Sequence, residues 1–98
     1  MTRQDFEAKL VEILRENKIS YSVDYSSTCS HYIVNIADSL KLRIGVGVIA
    51  VTISTFMGNV HVSFMDVFFD ELSDISCAEN KLYIGIEGRS TFMTVALA

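Results

Sequence analysis

Residues 40–53 decide what kind of fold the chain can adopt, and they run LKLRIGVGVIAVTI. In the first nine of these residues an apolar side chain stands at every second position, which predicts a β-strand. After Val48 the phase of the alternation reverses. We therefore expect a bulge, a tight hairpin near Gly45–Gly47, or one central strand that is covered on both faces.

Shorter segments with the same alternation lie on both sides of this stretch. They span residues 19–25, 32–36, 60–64, 82–86 and 91–97. Gly58-Asn59 is a typical two-residue hairpin turn. Together these segments predict a strongly curved antiparallel sheet of about five to seven short strands.

An amphipathic helix is predicted at the N-terminus, from about Arg3 to Glu16, with Thr2 as the N-cap. Its apolar residues recur at helical spacing and form one stripe, made of Phe6, Leu10, Ile13 and Leu14. Two pairs of opposite charge stand four residues apart and are expected to form ion pairs, namely Arg3–Glu7 and Asp5–Lys9. Because the stripe should pack on the sheet, the predicted fold class is α+β in a single domain, 1–98.

Composition and charge exclude several classes of protein. Half of the residues are hydrophobic, which excludes a disordered chain. The longest apolar run is far shorter than the roughly 20 residues of a membrane helix, and the charged N-terminus is not that of a signal peptide. We therefore expect a cytoplasmic protein without a membrane partner. The net charge of −4 argues against direct nucleic-acid binding, which depends on clustered Lys and Arg.

Two cysteines and two histidines are candidates for a metal site or a nucleophilic site, namely Cys29, His31, His61 and Cys77. Structural zinc sites bring their ligands in closely spaced pairs, and only Cys29 and His31 are close in sequence. A reactive thiol needs a helix N-terminus or a cation beside it, and nothing local to Cys29 supplies one. We expect free thiols, no metal, no cofactor and no catalytic residue, so the chain is predicted not to be an enzyme.

Residues 65–75 run MDVFFDELSDI, in which carboxylates and large apolar side chains are interleaved. They lie within Ile44–Asn80, which contains no Lys or Arg. The apolar spacing fits a second short helix near 66–76, and a bent strand with a turn fits it equally. The acids are either an ordinary solvated face or part of a docking strip for a protein. The predicted partner-binding residues are Asp66, Val67, Phe68, Phe69, Asp70, Glu71 and Asp74.

The leading functional prediction is a non-enzymatic protein-binding module or inhibitor that presents this acidic-aromatic surface to a partner with a basic surface. In size and acidity the chain resembles small phage-encoded inhibitors of bacterial defence, such as anti-CRISPR proteins. That resemblance implies a phage or mobile-element protein with an inhibitory role. The alternative is a small-ligand-binding domain with a pocket between helix and sheet or at a subunit interface. A small enzyme that uses Cys29 or the acids of residues 66–74 is a third class.

A homo-oligomer, most simply a homodimer, is also expected. If residues 45–53 form one uninterrupted strand, Val46 and Val48 lie on one face, and Ile49 and Val51 lie on the other. The helix can cover only one of these faces, and a large exposed apolar patch is uncommon on a soluble monomer. Equivalent patches on two copies, including Phe56-Met57, would then cover each other.

Overall fold

The computed structural model describes residues 1–26, 28–88 and 92–97. Within these ranges one α-helix is followed by eight β-strands, with one 3-10 turn between the fifth and the sixth. The elements are α1 (Arg3–Glu16), β1 (Tyr21–Tyr25), β2 (Ser30–Ala37), β3 (Leu40–Val46), β4 (Ala50–Met57), β5 (Val60–Phe68), η1 (Phe69–Glu71), β6 (Leu72–Ala78), β7 (Lys81–Ile86) and β8 (Phe92–Ala96). The prediction of an N-terminal helix packed on antiparallel sheet is confirmed. Thr91, predicted to begin the last strand, lies outside the described residues.

The first sheet contains β1 to β5, paired antiparallel in the order of the sequence. Its centre is a hairpin in which Val46 pairs with Val51 and the Gly47 N–H donates to the Ala50 carbonyl oxygen at 3.0 Å. Directly paired residues lie on the same face of a sheet, and both valines are buried. The hairpin therefore explains the reversed alternation. The arrangement that motivated the homodimer, a single strand apolar on both faces, is wrong.

The second sheet contains β6, β7 and β8, again antiparallel and in sequence order. The short helix considered for residues 66–76 does not form. Strand β5 stays paired with β4 as far as Phe68, and the Phe69 N–H still donates to the Ile49 carbonyl oxygen at 3.0 Å. A single 3-10 turn over Phe69–Glu71 then leads directly into β6.

The helix-like spacing in this segment has a local cause. The pairing of β6 with β7 shifts register between Leu72 and Asp74, which marks a β-bulge. The bulge allows Leu72 and Ile75, three residues apart, to be buried together. Without the bulge, residues three apart on a strand would point to opposite faces.

The helix packs its predicted stripe into the core. Phe6, Leu10 and Leu14 are fully buried, whereas Ile13 at the margin of the stripe is half-buried. The ring of Phe6 meets the ring of Phe69 edge to face, with centroids 6.1 Å apart. The N-cap is the predicted one, because the Thr2 side chain accepts a hydrogen bond from the Asp5 N–H. No helix in the described ranges is long and apolar enough to cross a membrane.

Polar contacts also join the helix to both sheets. The Tyr32 hydroxyl on β2 donates a hydrogen bond to Glu7, and Lys9 forms an ion pair with Asp74 on β6. In the described part of the chain the Lys9–Asp74 contact is the one ion pair found. The predicted ion pairs within the helix are therefore not observed, because partners on neighbouring strands take Glu7 and Lys9.

Candidate functional site

The predicted docking strip is divided by burial. Val67 and Phe69 are only 4% and 7% exposed and belong to the hydrophobic core, so including them among the residues that contact a partner was wrong. Their burial follows from their places on the inward face of β5 and at the start of the 3-10 turn. Phe68, between them, is 47% exposed at the end of β5. One aromatic side chain of the predicted strip is therefore available to a partner.

The carboxylates of the strip are all exposed, but two of them have partners within the chain. Asp66 accepts a hydrogen bond from the Thr52 hydroxyl at 2.6 Å, and Asp74 accepts one from Lys9 at 2.8 Å. The Asp74 contact ties β6 to the helix. Asp70 and Glu71 lie together on the 3-10 turn next to Phe68. The acidic part of the surface is therefore centred on this turn.

A larger apolar surface, which sequence reasoning missed, lies beside β5. An open groove with a volume of about 470 Å³ separates β4 and β5 from β8. Its lining residues are Ile36, Leu40, Ile53, Thr55, Met57, Val62, Ser63, Met65, Thr94, Val95 and Ala96. We call it the β5 groove. The sequence signal for this surface is the group of apolar residues around the Gly58-Asn59 turn.

Strand β5 stands at one edge of the five-stranded sheet, with β4 as its hydrogen-bonded neighbour. Large apolar side chains along it are unusually exposed, since Val60 is 67% exposed and Val62 is 57% exposed. The pairing with β4 shifts register beside Phe56, where Val62 is the extra residue of a bulge. This bulge allows both Val62 and Met65 to line the β5 groove.

A second groove lies on the face of the first sheet that carries polar residues. Its volume is about 420 Å³. It is lined by Cys29, His31, Arg43, Gly45, Gly47, Thr52, Ser54, Phe56 and His61. We call it the polar groove. The alternation of Lys41, Arg43 and Gly45 in β3 was the sequence signal for this face, but it did not indicate a concave site.

Aromatic stacking organises one end of the polar groove. The guanidinium carbon of Arg43 lies 4.6 Å from the centroid of the Phe56 ring. The Phe56 ring stacks on the His61 ring, with centroids 4.8 Å apart and planes 14° from parallel. This arrangement is a cation–π contact continued by a second aromatic ring.

At the other end, the His31 ring lies against Gly45. A Cβ atom at Gly45 would come within 3.2 Å of His31 Nδ1, so glycine leaves the space that the ring occupies. The Nδ1 atom is buried and has no hydrogen-bond partner among the described residues.

Three of the four candidate metal ligands line the same groove. Cys29, His31 and His61 line the polar groove, while Cys77 lies on β6 in the other sheet. The described residues contain no group of three His, Cys, Asp or Glu side chains arranged to hold a metal ion. Both cysteines carry free thiols. The polar groove therefore brings together three of the four candidate residues without the arrangement of a metal site.

The space predicted for a ligand, between helix and sheet, is filled by the buried stripe of α1. A shallow cleft of about 200 Å³ lies beside the Lys9–Asp74 ion pair, between α1 and β6. Burial and the bond to Glu7 raise the pKa of Tyr32 well above its usual range. This hydroxyl therefore remains a proton donor that holds the helix on the sheet.

Comparison of the chain with protein-family models, with curated protein sequences and with solved structures finds no match. The function must therefore be argued from the surfaces themselves.

Proposed function

We propose that the protein is a non-enzymatic protein-binding module that binds an extended segment of a partner along β5 and in the β5 groove. The observation that carries this proposal is the exposure of large apolar side chains on and beside one edge strand. These side chains are Met57, Val60, Val62, Met65 and Phe68. Met57, Val62 and Met65 line the β5 groove together, whereas Phe68 lies on the other face of β5. Exposed apolar surface grouped in this way is characteristic of interaction sites.

A partner bound in the β5 groove would remove apolar side chains of this protein from water. Fully burying a Val, Met or Phe side chain contributes roughly 1.5–3 kcal/mol. A few such residues around one groove can act as anchors, even after the cost of ordering the bound segment. The groove has the concave shape that such anchors require, with Val62 and Met65 on one side and β8 on the other.

The backbone of β5 supports an extended partner in particular. An edge strand carries N–H and C=O groups directed away from its neighbour, and a peptide can add to them as a further strand. The bulge at Val62 interrupts this edge, which is a common means of limiting unspecific strand pairing. The partner segment would therefore need side chains that match the groove as well as a free backbone.

Charge indicates the chemistry of the partner. Asp70 and Glu71 are exposed on the turn that follows β5, and no Lys or Arg occurs between Ile44 and Asn80. With a net charge of −4, the protein attracts basic surfaces and repels acidic ones. The partner segment should therefore carry apolar side chains flanked by Lys or Arg. The proposal keeps the basic partner predicted from the sequence but moves the anchors from Val67 and Phe69 to the β5 groove.

For its biological role, we propose that the protein belongs to the class of inhibitors that its size and acidity suggest. A small acidic protein of phage or mobile-element origin, acting in the cytoplasm on a basic host protein, would use such a surface to block its target. The length of 98 residues and the charge of −4 support this setting. The contact surface itself stands on the exposed residues of β5.

Affinity capture from source cells tests the proposal with a matched pair of variants. Val62→Lys introduces a charge into the β5 groove, and Val48→Lys introduces the same charge at an equally exposed valine on the β3–β4 hairpin. We expect Val62→Lys to lose a partner that the wild type and Val48→Lys retain. Hydrogen exchange on the captured complex should show protection of the β5 amides. Retention by Val62→Lys, without protection of β5, would refute the proposal.

The same variants separate a foreign partner from a second copy. The homodimer expected from the sequence could not use Val46 and Val51, which are buried. The β5 groove, which includes Met57 of the predicted patch, provides another apolar surface. Light scattering at micromolar concentrations would then give a dimeric mass for the wild type and Val48→Lys and a monomeric mass for Val62→Lys. That result would assign the groove to self-association and overturn the proposed basic partner.

A further inference from the structure

We propose that the polar groove is a binding site for a small organic anion, with Arg43 pairing with a carboxylate or phosphate group of the ligand. The groove lies on the opposite face of the first sheet from the core, and it makes no use of the β5 groove. This inference is therefore independent of the proposed protein-binding function.

The charge of the polar groove differs from that of the whole protein. The protein as a whole carries a net charge of −4, yet the described residues that line this groove include one arginine, two histidines and no carboxylate. Asp66 lies next to the groove, but its carboxylate already accepts a hydrogen bond from Thr52. Among the described lining residues, the side chain that carries a formal charge when histidine is counted as neutral is thus the positive Arg43.

Arg43 is the residue that would pair with the anion. In the described part of the chain the one ion pair joins Lys9 to Asp74, so no carboxylate there neutralises the Arg43 guanidinium. The group rests on the Phe56 ring at 4.6 Å, which restricts its motion. An oriented guanidinium offers paired N–H donors whose spacing matches the two oxygens of a carboxylate or a phosphate.

Two glycines, Gly45 and Gly47, line the polar groove. Gly45 leaves room for the His31 ring, and a Cβ atom at Gly47 would lie only 3.0 Å from the Ala50 carbonyl oxygen. Neither glycine places a side chain of its own in the groove. The resulting volume of about 420 Å³ lies within the usual range for small-molecule sites. His31 and Ser54 also line the groove and add polar side chains to it.

NMR titration of the ¹⁵N-labelled protein with benzoate tests the proposal, and neutral benzamide serves as the control of matched shape. We expect benzoate, and not benzamide, to cause saturable shifts of the Arg43 side-chain N–H and of the amides of β3 and β4 around the groove. Arg43→Gln should weaken benzoate binding about tenfold or more, as the loss of a charge-assisted hydrogen bond implies. Lys81→Gln removes the same charge from the second sheet and should leave binding unchanged.

Inorganic phosphate distinguishes the two anion classes. Saturable shifts of the same signals by phosphate would show that the site accepts phosphate groups, whereas shifts by benzoate alone would assign it to carboxylates. Equal effects of benzoate and benzamide, or benzoate shifts that persist in Arg43→Gln, would overturn the proposal.

A second measurement needs no variant. Cys29 lines the polar groove and Cys77 does not, so benzoate should slow the alkylation of Cys29 by iodoacetamide while the alkylation of Cys77 proceeds as before. Equal rates for Cys29 with and without saturating benzoate would also count against the site.

Discussion

Lys9 Nζ on α1 lies 2.8 Å from Asp74 Oδ1 on β6, and this ion pair joins the helix to the second sheet. The hydrogen bond from Lys9 lowers the pKa of Asp74, and the same bond raises the pKa of Lys9. Both side chains are about half exposed, so water and salt screen the attraction. Asp74 therefore has a partner within the chain. The sequence pattern, by contrast, predicted Asp74 as a residue that contacts a partner protein.

Asp74→Asn should reduce stability in a way that depends on pH. Because the folded pKa of Asp74 is depressed, its contribution is complete above the ordinary value of 3.8 and is lost as the pH falls through the folded value. The variant should be less stable than the wild type at neutral pH, and the difference should disappear in acid. Urea unfolding under both conditions measures this. A difference that is the same at both pH values would exclude the carboxylate charge as its cause.

Tyr32→Phe should destabilise the protein by about 1 kcal/mol, the typical net contribution of one hydrogen bond. The change removes the hydroxyl that donates to Glu7 and leaves the ring in place. Urea unfolding of the variant measures the loss. Tyr25→Phe is the matched control, because Tyr25 is 73% exposed and should change stability little. Equal effects of the two substitutions would mean that the Tyr32–Glu7 bond adds nothing to stability.

The same hydroxyl should also respond to alkaline pH. Burial, reinforced by the bond to Glu7, raises the pKa of Tyr32 above the ordinary 10.0. A raised folded pKa means that the stabilisation is present below pH 10.0 and is lost as the pH rises towards the folded value. The stability difference between the wild type and Tyr32→Phe should therefore shrink in alkali. Spectroscopic titration should show one tyrosine that ionises later than the others.

Leu10→Ala should cost about 2–5 kcal/mol, the usual range for removing a large side chain from a core. Leu10 is fully buried under the sheet, whereas Ile13 at the edge of the stripe is half-buried. Ile13→Ala should therefore cost less than Leu10→Ala, although the two residues stand on one helical stripe. Chemical denaturation of both variants tests the ranking. Equal losses would show that the margin of the helix is packed as tightly as its centre.

Charge reversal at the 3-10 turn should slow partner binding. Replacing Asp70 and Glu71 with Lys changes the charge on the turn that follows β5 and leaves the apolar residues of the β5 groove in place. The association rate for the captured partner should fall, most strongly at low salt, while the dissociation rate changes less. Glu12→Lys with Glu16→Lys makes the same change on exposed positions of α1 and should have a smaller effect. Equal effects of the two double variants would indicate that the association rate depends on the net charge of the protein and not on the position of the acidic residues.

The local sequence pattern was sufficient to predict most of the secondary structure. The helix stripe and its N-cap were predictable because helical periodicity and capping depend on residues within a few positions of each other. Residues 66–76 were ambiguous for the same reason. A 3-10 turn followed by a bulge buries Phe69, Leu72 and Ile75, with the three-residue spacing that a helix also produces. Only the pairing partners on β4 and β7 decide between these structures.

The sequence by itself determined the α+β class, the apolar face of the helix and the acidic character of residues 44–80. These properties follow from composition and short-range periodicity. Only the tertiary structure decided which apolar residues are buried. Val67 and Phe69 turn into the core, while Val60 and Val62 remain exposed, although all four are large apolar residues in one segment. The reason is that burial depends on edge position, register and bulges, which are set by strands distant in the sequence. The same long-range pairing places Arg43, Phe56 and His61 side by side, a relationship that no local pattern encodes.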